Sequence, residues 1–442
     1  MIETLPNLLD LMKSYGATRF YAKKLAPNDN SKNQIYLGGN FSALNIIPYH
    51  GIRTDDSRLQ GSVRDRAKAD ISFSWVDAHG KYPAPHAQLI LYPKYPEVRM
   101  SGFLRGAENA PSGIMNVRQE GRILFLGITP DGQLLGYATG PHSPLAKELE
   151  AQAGLNEIGV FLEIPPGSGL PDTRQQLLDK LATICRKHWI PSKKLGPDGQ
   201  PKPYLARNGG GYTLEAELGI MPNGYAEPDY LGWEIKQYAV TDHETCRPKG
   251  VITLMTPEPT DGFYKSHGIE SFLRRFGYPD KHGKADRMNF GGIYTCMKDF
   301  HADTGLKLTL QGYDASTGKI TDMTGGIILL SRQNEIAAKW DFSRLMEHWT
   351  RKHAHAAYIP SLFRTPPPQY AYCPRILLCE QTDFSLFLKA VANSSVRYDP
   401  AIKMEPSISG HPATKRRSQF RTRFSDLARL YYRHEYVELQ IE

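Results

Sequence analysis

Short apolar or alternating runs fill the first third of the chain: QIYLGG, ALNIIP, DISFSWV, AQLILYP, RILFLGI and LLGYAT. Gly, Pro, Asn and Asp punctuate them in PNDN, APSG and TPDG. That pattern predicts β-strands at the spacing of a barrel or sandwich. A helix closes the region in SPLAKELEAQAG, with Ser143 at its N-cap and a glycine after its last turn. From Pro165 to Asp172 the chain is rich in Pro and Gly, the composition of a linker. Asp172 then stands where it can cap TRQQLLDKLATICRKHW, whose Leu177, Leu178, Leu181 and Ile184 share one helical face. Beyond it strands and helices mix, from LGWEIKQYAV and GVITLM to EIAAKWDFSRLMEHWTRKHAHAAYI and TDFSLFLKAVANSS, which is the texture of an α/β core.

Length and composition agree with two such regions. The chain has 442 residues, 40% hydrophobic and 23% charged, which describes a globular protein of about two domains. No run of eighteen apolar residues occurs and the first residues lack a basic start before an apolar stretch, so neither a membrane span nor a secretory signal is expected. Five cysteines in so long a chain suit a reducing, cytoplasmic compartment better than a disulfide scaffold. Net charge is +8, and its excess is concentrated. Residues 403–433 hold eight Lys and Arg against Glu405 and Asp426 only. A polyanion is the natural partner of such a cluster, because neutralised phosphates release counterions. A solvated basic surface is the plainer alternative.

The sharpest local feature is Glu227-Pro-Asp229-Tyr-Leu-Gly-Trp-Glu234-Ile-Lys236. On a strand Glu234 and Lys236 share a face, while Trp233 and Ile235 pack on the other. Asp229 precedes a turn that can bring its carboxylate beside Glu234. Two converging carboxylates make a hard oxygen site suited to Mg²⁺. A neighbouring lysine can orient a water and neutralise charge growing on a phosphate. Upstream, NGGGYTLEAELGI can form a helix that buries Leu214 and Leu218 and turns Glu215 toward that strand. Without these companions each group would be an ordinary surface charge.

The run GYTLEAELGI…NG…EPDYLGWEIK closely resembles restriction endonucleases of the MvaI/BcnI family, which share the PD-(D/E)XK nuclease core with the mismatch-repair nickase MutH. The resemblance implies that Asp229 and Glu234 bind a divalent metal, Mg²⁺. Lys236 would position the attacking water, and Glu215 would complete the acidic site. The N-terminal segment FYAKKLAPNDN…QIYLGG and the later EVRMSGFLRGAENAPSG resemble the EcoRII N-terminal effector domain, a DNA-binding pseudobarrel that grips the major groove with two arms. Here the arms would span Lys23 to Tyr36 and Lys94 to Arg105. Their candidate DNA contacts are Lys23, Lys24, Lys32, Asn33, Gln34, Tyr36, Lys94, Glu97, Arg99 and Arg105. In the C-terminal region the candidates are Arg287, Arg397, Asp399, Lys403, Arg416, Arg417, Arg421 and Arg423.

The implied architecture is an all-β-dominated DNA-binding pseudobarrel over residues 1–165, a linker at 166–172 and an α/β PD-(D/E)XK nuclease over 173–442. The implied activity is that of a type II, IIE-like restriction endonuclease. It would be Mg²⁺-dependent and hydrolyse duplex DNA at CCWGG, the sequence both families recognise. The protein would be a monomer that nicks the strands in turn and binds one DNA site per domain, with no small-molecule cofactor. A MutH-like nickase and a non-catalytic DNA-binding protein are the alternatives. Three features are set aside. Cys373 and Cys379 lack zinc-site spacing and are expected as buried thiols. The run Gly209-Gly210-Gly211 lacks the Lys-Ser/Thr of a phosphate loop. His353 and His355 are expected as surface residues of a helix.

Overall fold

A computed structural model describes residues 2–29, 34–55, 66–167, 172–221, 227–408 and 411–441. The candidate contacts Lys32 and Asn33 and most of the expected linker lie outside these residues. The chain divides into two compact units. One is Met1–Pro171 with Lys319–Met323, the other Asp172–Gly318 with Thr324–Glu442. No helix among the described residues is long and apolar enough to cross a membrane.

The first unit is dominated by two sheets. The larger runs in the order Glu157–Ile158, Phe161–Ile164, Arg19–Leu25, Arg122–Ile128, Gln133–Thr139, Ser72–Val76, Lys81–Pro83. The smaller runs in the order Gln34–Tyr36, Glu97–Ser101, Gln88–Tyr92, Ala67–Asp70, His50–Thr54. Neither closes on itself among the described residues. Strand Arg122–Ile128 is buried along its whole length, which explains its unbroken apolar run. Ile123 and Phe125 pack with Leu5, Leu8, Leu9 and Met12 of helix Leu5–Ser14 and with Leu145 and Leu149 of helix Pro144–Ala151. The second helix starts at Ser143, whose hydroxyl accepts from Ala146 N. The first adds a helix to the strands and closing helix expected of this region, and Leu5, Leu8, Leu9 and Met12 recur at helical spacing. ALNIIP is another, forming a 3₁₀ turn over Ser42–Asn45 instead of a strand.

The second unit is α/β. Asp172 caps helix Thr173–Arg186 by accepting from Arg174 N and Gln175 N. Strand Glu234–Ala239 runs parallel to His355–Arg364, in register Glu234 to Ala356. Strand His355–Arg364 pairs antiparallel with Gln369–Tyr372 and Arg375–Thr382, and the latter with Tyr431–Glu438. One face of this sheet, with Ile235, Ala357, Ile359 and Leu378, packs on helices Thr173–Arg186 and Gly210–Leu218. The other face meets helix Phe342–His353, where Tyr358 hydroxyl bonds Tyr431 hydroxyl and Tyr431 in turn bonds His353 Nδ1, both at 2.9 Å. Cys373 and Cys379 are wholly buried thiols. His353 corrects the sequence reading, because it is fully buried, and His355 belongs to a strand. Phe342, Leu345, Met346, Trp349 and Thr350 form a buried stripe on which His353 is the next helical position.

Candidate active site

Three elements carry the four predicted side chains. The first is a tight hairpin. Tyr230 and Trp233 exchange backbone hydrogen bonds of 3.0 and 2.8 Å across Leu231 and Gly232, which have φ of 50° and 86°. Two successive left-handed residues are the signature of a type I′ turn. The turn folds Asp229 back beside Glu234, where its Oδ2 accepts from Ile235 N at 2.9 Å. The second element is the strand that follows. Trp233 and Ile235 enter the core, and Glu234 and Lys236 face the other way. The third is helix Gly210–Leu218, which buries Leu214 and Leu218 and carries Glu215. Its glycine start has a packing cause, since a Cβ on Gly210 would stand 2.7 Å from Gln237 Oε1 on the strand. The missing side chain lets the helix lie against the strand.

Glu234 is completely buried and forms a salt bridge with Lys236. A second ammonium reaches it from helix Phe342–His353. Lys352 Nζ lies 3.2 Å from Glu234 Oε2, 3.3 Å from Oε1 and 3.9 Å from Asp229 Oδ1. Burial works against ionising Glu234, but Lys236 and Lys352 outweigh it and hold its pKa down to about 2. Burial opposes the charge of Lys236 too, and Glu234 overcomes it, so its pKa is raised. Asp229 shifts upward, by burial and then by the charge of Glu234. Glu215 is pushed up to about 7 by burial and by Asp229. These mutual shifts place all four predicted side chains within one electrostatic cluster. Glu215 and Lys236 line a cleft of about 430 Å³ together with Gln237, Lys249, Thr253 and Arg421.

Among the described residues no group of three or more His, Cys, Asp or Glu side chains is assembled as a metal cage. The donors at Asp229 and Glu234 nevertheless suit a hard divalent cation, which takes one or two carboxylates and fills its shell with water and phosphate oxygens. Glu234 Oε2 is buried yet accepts no hydrogen bond.

The predicted DNA contacts fall into distinct settings. Arg397 and Arg421 are cross-strand neighbours, and both point at Asp399. Arg287 donates to Glu405 Oε2 at 3.0 and 2.5 Å, and Lys403 lies 3.8 Å from the same carboxylate. Arg416, Arg417 and Arg423 are exposed. In the first unit the two expected arms meet. Strand Gln34–Tyr36 pairs with Glu97–Ser101, and Arg99 bonds both Glu97 Oε1 at 3.0 Å and Gln34 Oε1 at 3.3 Å, with Tyr36 directly across from it. Lys24, Lys94 and Arg105 are exposed. Lys23 is buried against Asp29 at 2.8 Å, so its ammonium is not presented to solvent. Lys352 is the addition that sequence reasoning missed. It lies 118 residues from Glu234, on a helix with no motif of its own.

Residues 178–431 match the MvaI/BcnI restriction endonuclease family. No curated protein matches the chain. Among solved structures it is similar to a complex of restriction endonuclease MvaI with cognate DNA substrate, at 16% identity and a TM-score of 0.45, covering 61% of this chain and 99% of that one. It is also similar to restriction endonuclease MvaI in the absence of DNA, at 15% identity and a TM-score of 0.33 with the same coverage.

Proposed function

The chain belongs to the MvaI/BcnI restriction endonuclease family and is a type II site-specific DNA nuclease, and from that premise we propose how it cuts and what it reads. The reaction is hydrolysis of a phosphodiester in duplex DNA at CCWGG. The protein acts as a monomer with one active site that nicks the two strands in succession. The observation that carries this reading is the convergence of Asp229, Lys236 and Lys352 on the buried carboxylate of Glu234, with Lys236 on the wall of the cleft.

Asp229 and Glu234 would hold Mg²⁺, which when bound supplies Lewis-acid stabilisation of charge on the phosphoryl oxygens. Glu234 fixes the Lys236 ammonium at the cleft wall. From there it can donate to a water and aim it in line at phosphorus. Attack leaves a 5′-phosphate and a 3′-hydroxyl. Glu215 completes the acidic wall from the neighbouring helix.

Base reading belongs to Arg397, Asp399 and Arg421. Arginine can bond guanine bidentately and aspartate can accept from the cytosine amino group. The exposed Arg416, Arg417 and Arg423 suit phosphates, as do Arg287 and Lys403 once loosened from Glu405. The first unit is proposed as an EcoRII-like effector pseudobarrel that binds a second copy of the site in the manner of a type IIE enzyme. Glu97, Arg99, Gln34 and Tyr36 would meet bases, and Lys24, Lys94 and Arg105 the backbone, while Lys23 holds the loop through Asp29.

The deciding experiment incubates purified protein with Mg²⁺ and a sequenced supercoiled plasmid and maps the ends. Linear products with ends inside CCWGG are expected, after a nicked intermediate. Nicked circles that never become linear would instead identify a single-strand nickase, and ends at unrelated sequences would remove the assigned specificity.

A further inference from the structure

We propose that the ammonium of Lys352 is a tethered counter-ion, seated between Asp229 and Glu234 in the metal-free chain at the position a divalent cation must take. The inference rests on those two carboxylates being the metal ligands. Lys352 Nζ is within 3.3 Å of both Glu234 oxygens and 3.9 Å from Asp229 Oδ1, so one monovalent cation bridges the pair. Mg²⁺ needs oxygens at 2.0–2.1 Å. It cannot share that volume with an ammonium, and the two positive charges repel at such range.

The two lysines of the site differ in their freedom. Lys236 sits on the same strand as Glu234, two residues on, and stays beside it however the site is loaded. Lys352 comes from the last turn of helix Phe342–His353 on a flexible four-carbon stem. Its head can therefore leave the carboxylates by rotation about the side-chain bonds, with no change in the backbone. While it is in place it offsets the cost of two carboxylates, one of them fully buried, facing each other without metal. Lys352 thus stabilises the empty site and raises the cation concentration needed to fill it.

The test is a calorimetric titration of Mg²⁺, repeated with Ca²⁺, into the full-length chain without DNA. It compares the unaltered protein with Lys352→Met, Lys352→Gln, Lys352→Arg and Asp229→Asn. Metal is expected to bind about tenfold more tightly to the Met and Gln variants, and as weakly to the Arg variant as to the unaltered protein. The metal-free Met and Gln variants should melt at lower temperature, and regain more on adding Mg²⁺ than the unaltered chain does. Equal or weaker metal binding by both neutral variants overturns the inference. If neither the unaltered chain nor the neutral variants bind metal better than Asp229→Asn, the ligand assignment itself fails.

Discussion

Arg397 and Arg421 stand directly opposite each other on neighbouring antiparallel strands, and the carboxylate of Asp399 lies between their guanidiniums. Arg421 Nη1 donates to Asp399 Oδ2 at 3.1 Å, whereas Arg397 Nε is 3.8 Å away, beyond hydrogen-bonding range. The Nε atoms of both arginines are buried without an acceptor. Like charges facing each other across a sheet are unfavourable, and one carboxylate balances only one of them. The pair is held ready for an acceptor-rich surface. Arg421→Ala is expected to lower affinity for a CCWGG duplex by about 1–3 kcal/mol and to relax discrimination at one G·C pair. Arg417→Ala should weaken binding to all duplexes alike and flatten the salt dependence. Titrations against cognate and single-mismatch duplexes at several salt concentrations distinguish the two.

Removing Lys236 or Asp229 should abolish chemistry and spare recognition. Lys236→Ala and Asp229→Ala are expected to cut plasmid at least a hundredfold more slowly, the scale on which lost electrostatic stabilisation acts. Duplex affinity measured by gel shift should remain within a few-fold. Cleavage at the original rate in either variant would displace both residues from the mechanism.

The hairpin is a mechanical prerequisite for the site. Gly232 has φ of 86°, and a β-branched residue there is strained by about 1–3 kcal/mol. Gly232→Val should lower stability by about that amount and slow cleavage, because Asp229 loses its register with Glu234. The converse change relieves strain. Leu231 adopts φ of 50° and is exposed, and Asn suits that position of a type I′ turn. Leu231→Asn is expected to raise the melting temperature with cleavage retained.

Acid should destabilise the nuclease unit through His353. Leu254 O, 3.2 Å from Nε2, can only accept, so Nε2 carries the proton and Nδ1 accepts from Tyr431 hydroxyl. Burial holds this neutral imidazole's pKa down to about 3, against about 6.5 in the unfolded chain. Between those values the unfolded state binds the extra proton. Stability is therefore intact above pH 6.5 and falls toward pH 3 by up to about 1.4 kcal/mol per pH unit. Denaturant unfolding at pH 7 and pH 5 should show a smaller loss in His353→Gln than in the unaltered chain.

Several features of the site are legible in the sequence because they are local. Strand alternation puts Glu234 and Lys236 on one face, and the Leu-Gly pair before Trp233 returns Asp229 to Glu234. Helical spacing buries Leu214 and Leu218 beside Glu215. The contribution of Lys352 arises from parallel pairing between distant strands, and no local pattern encodes such pairing. His353 was misjudged because polarity outweighed position, for it occupies the next step of an apolar stripe. His355 opens a strand instead of continuing the helix, because the run His355–Arg364 is apolar enough to suit either state.

The parallel register of Glu234 with Ala356 has an evolutionary corollary. Glu234 and its counter-ion Lys352 arrive at the same end of adjoining strands, so the 118 residues separating them form an excursion that leaves and returns to fixed posts. Such an excursion can lengthen, shorten or be exchanged while the posts stay put.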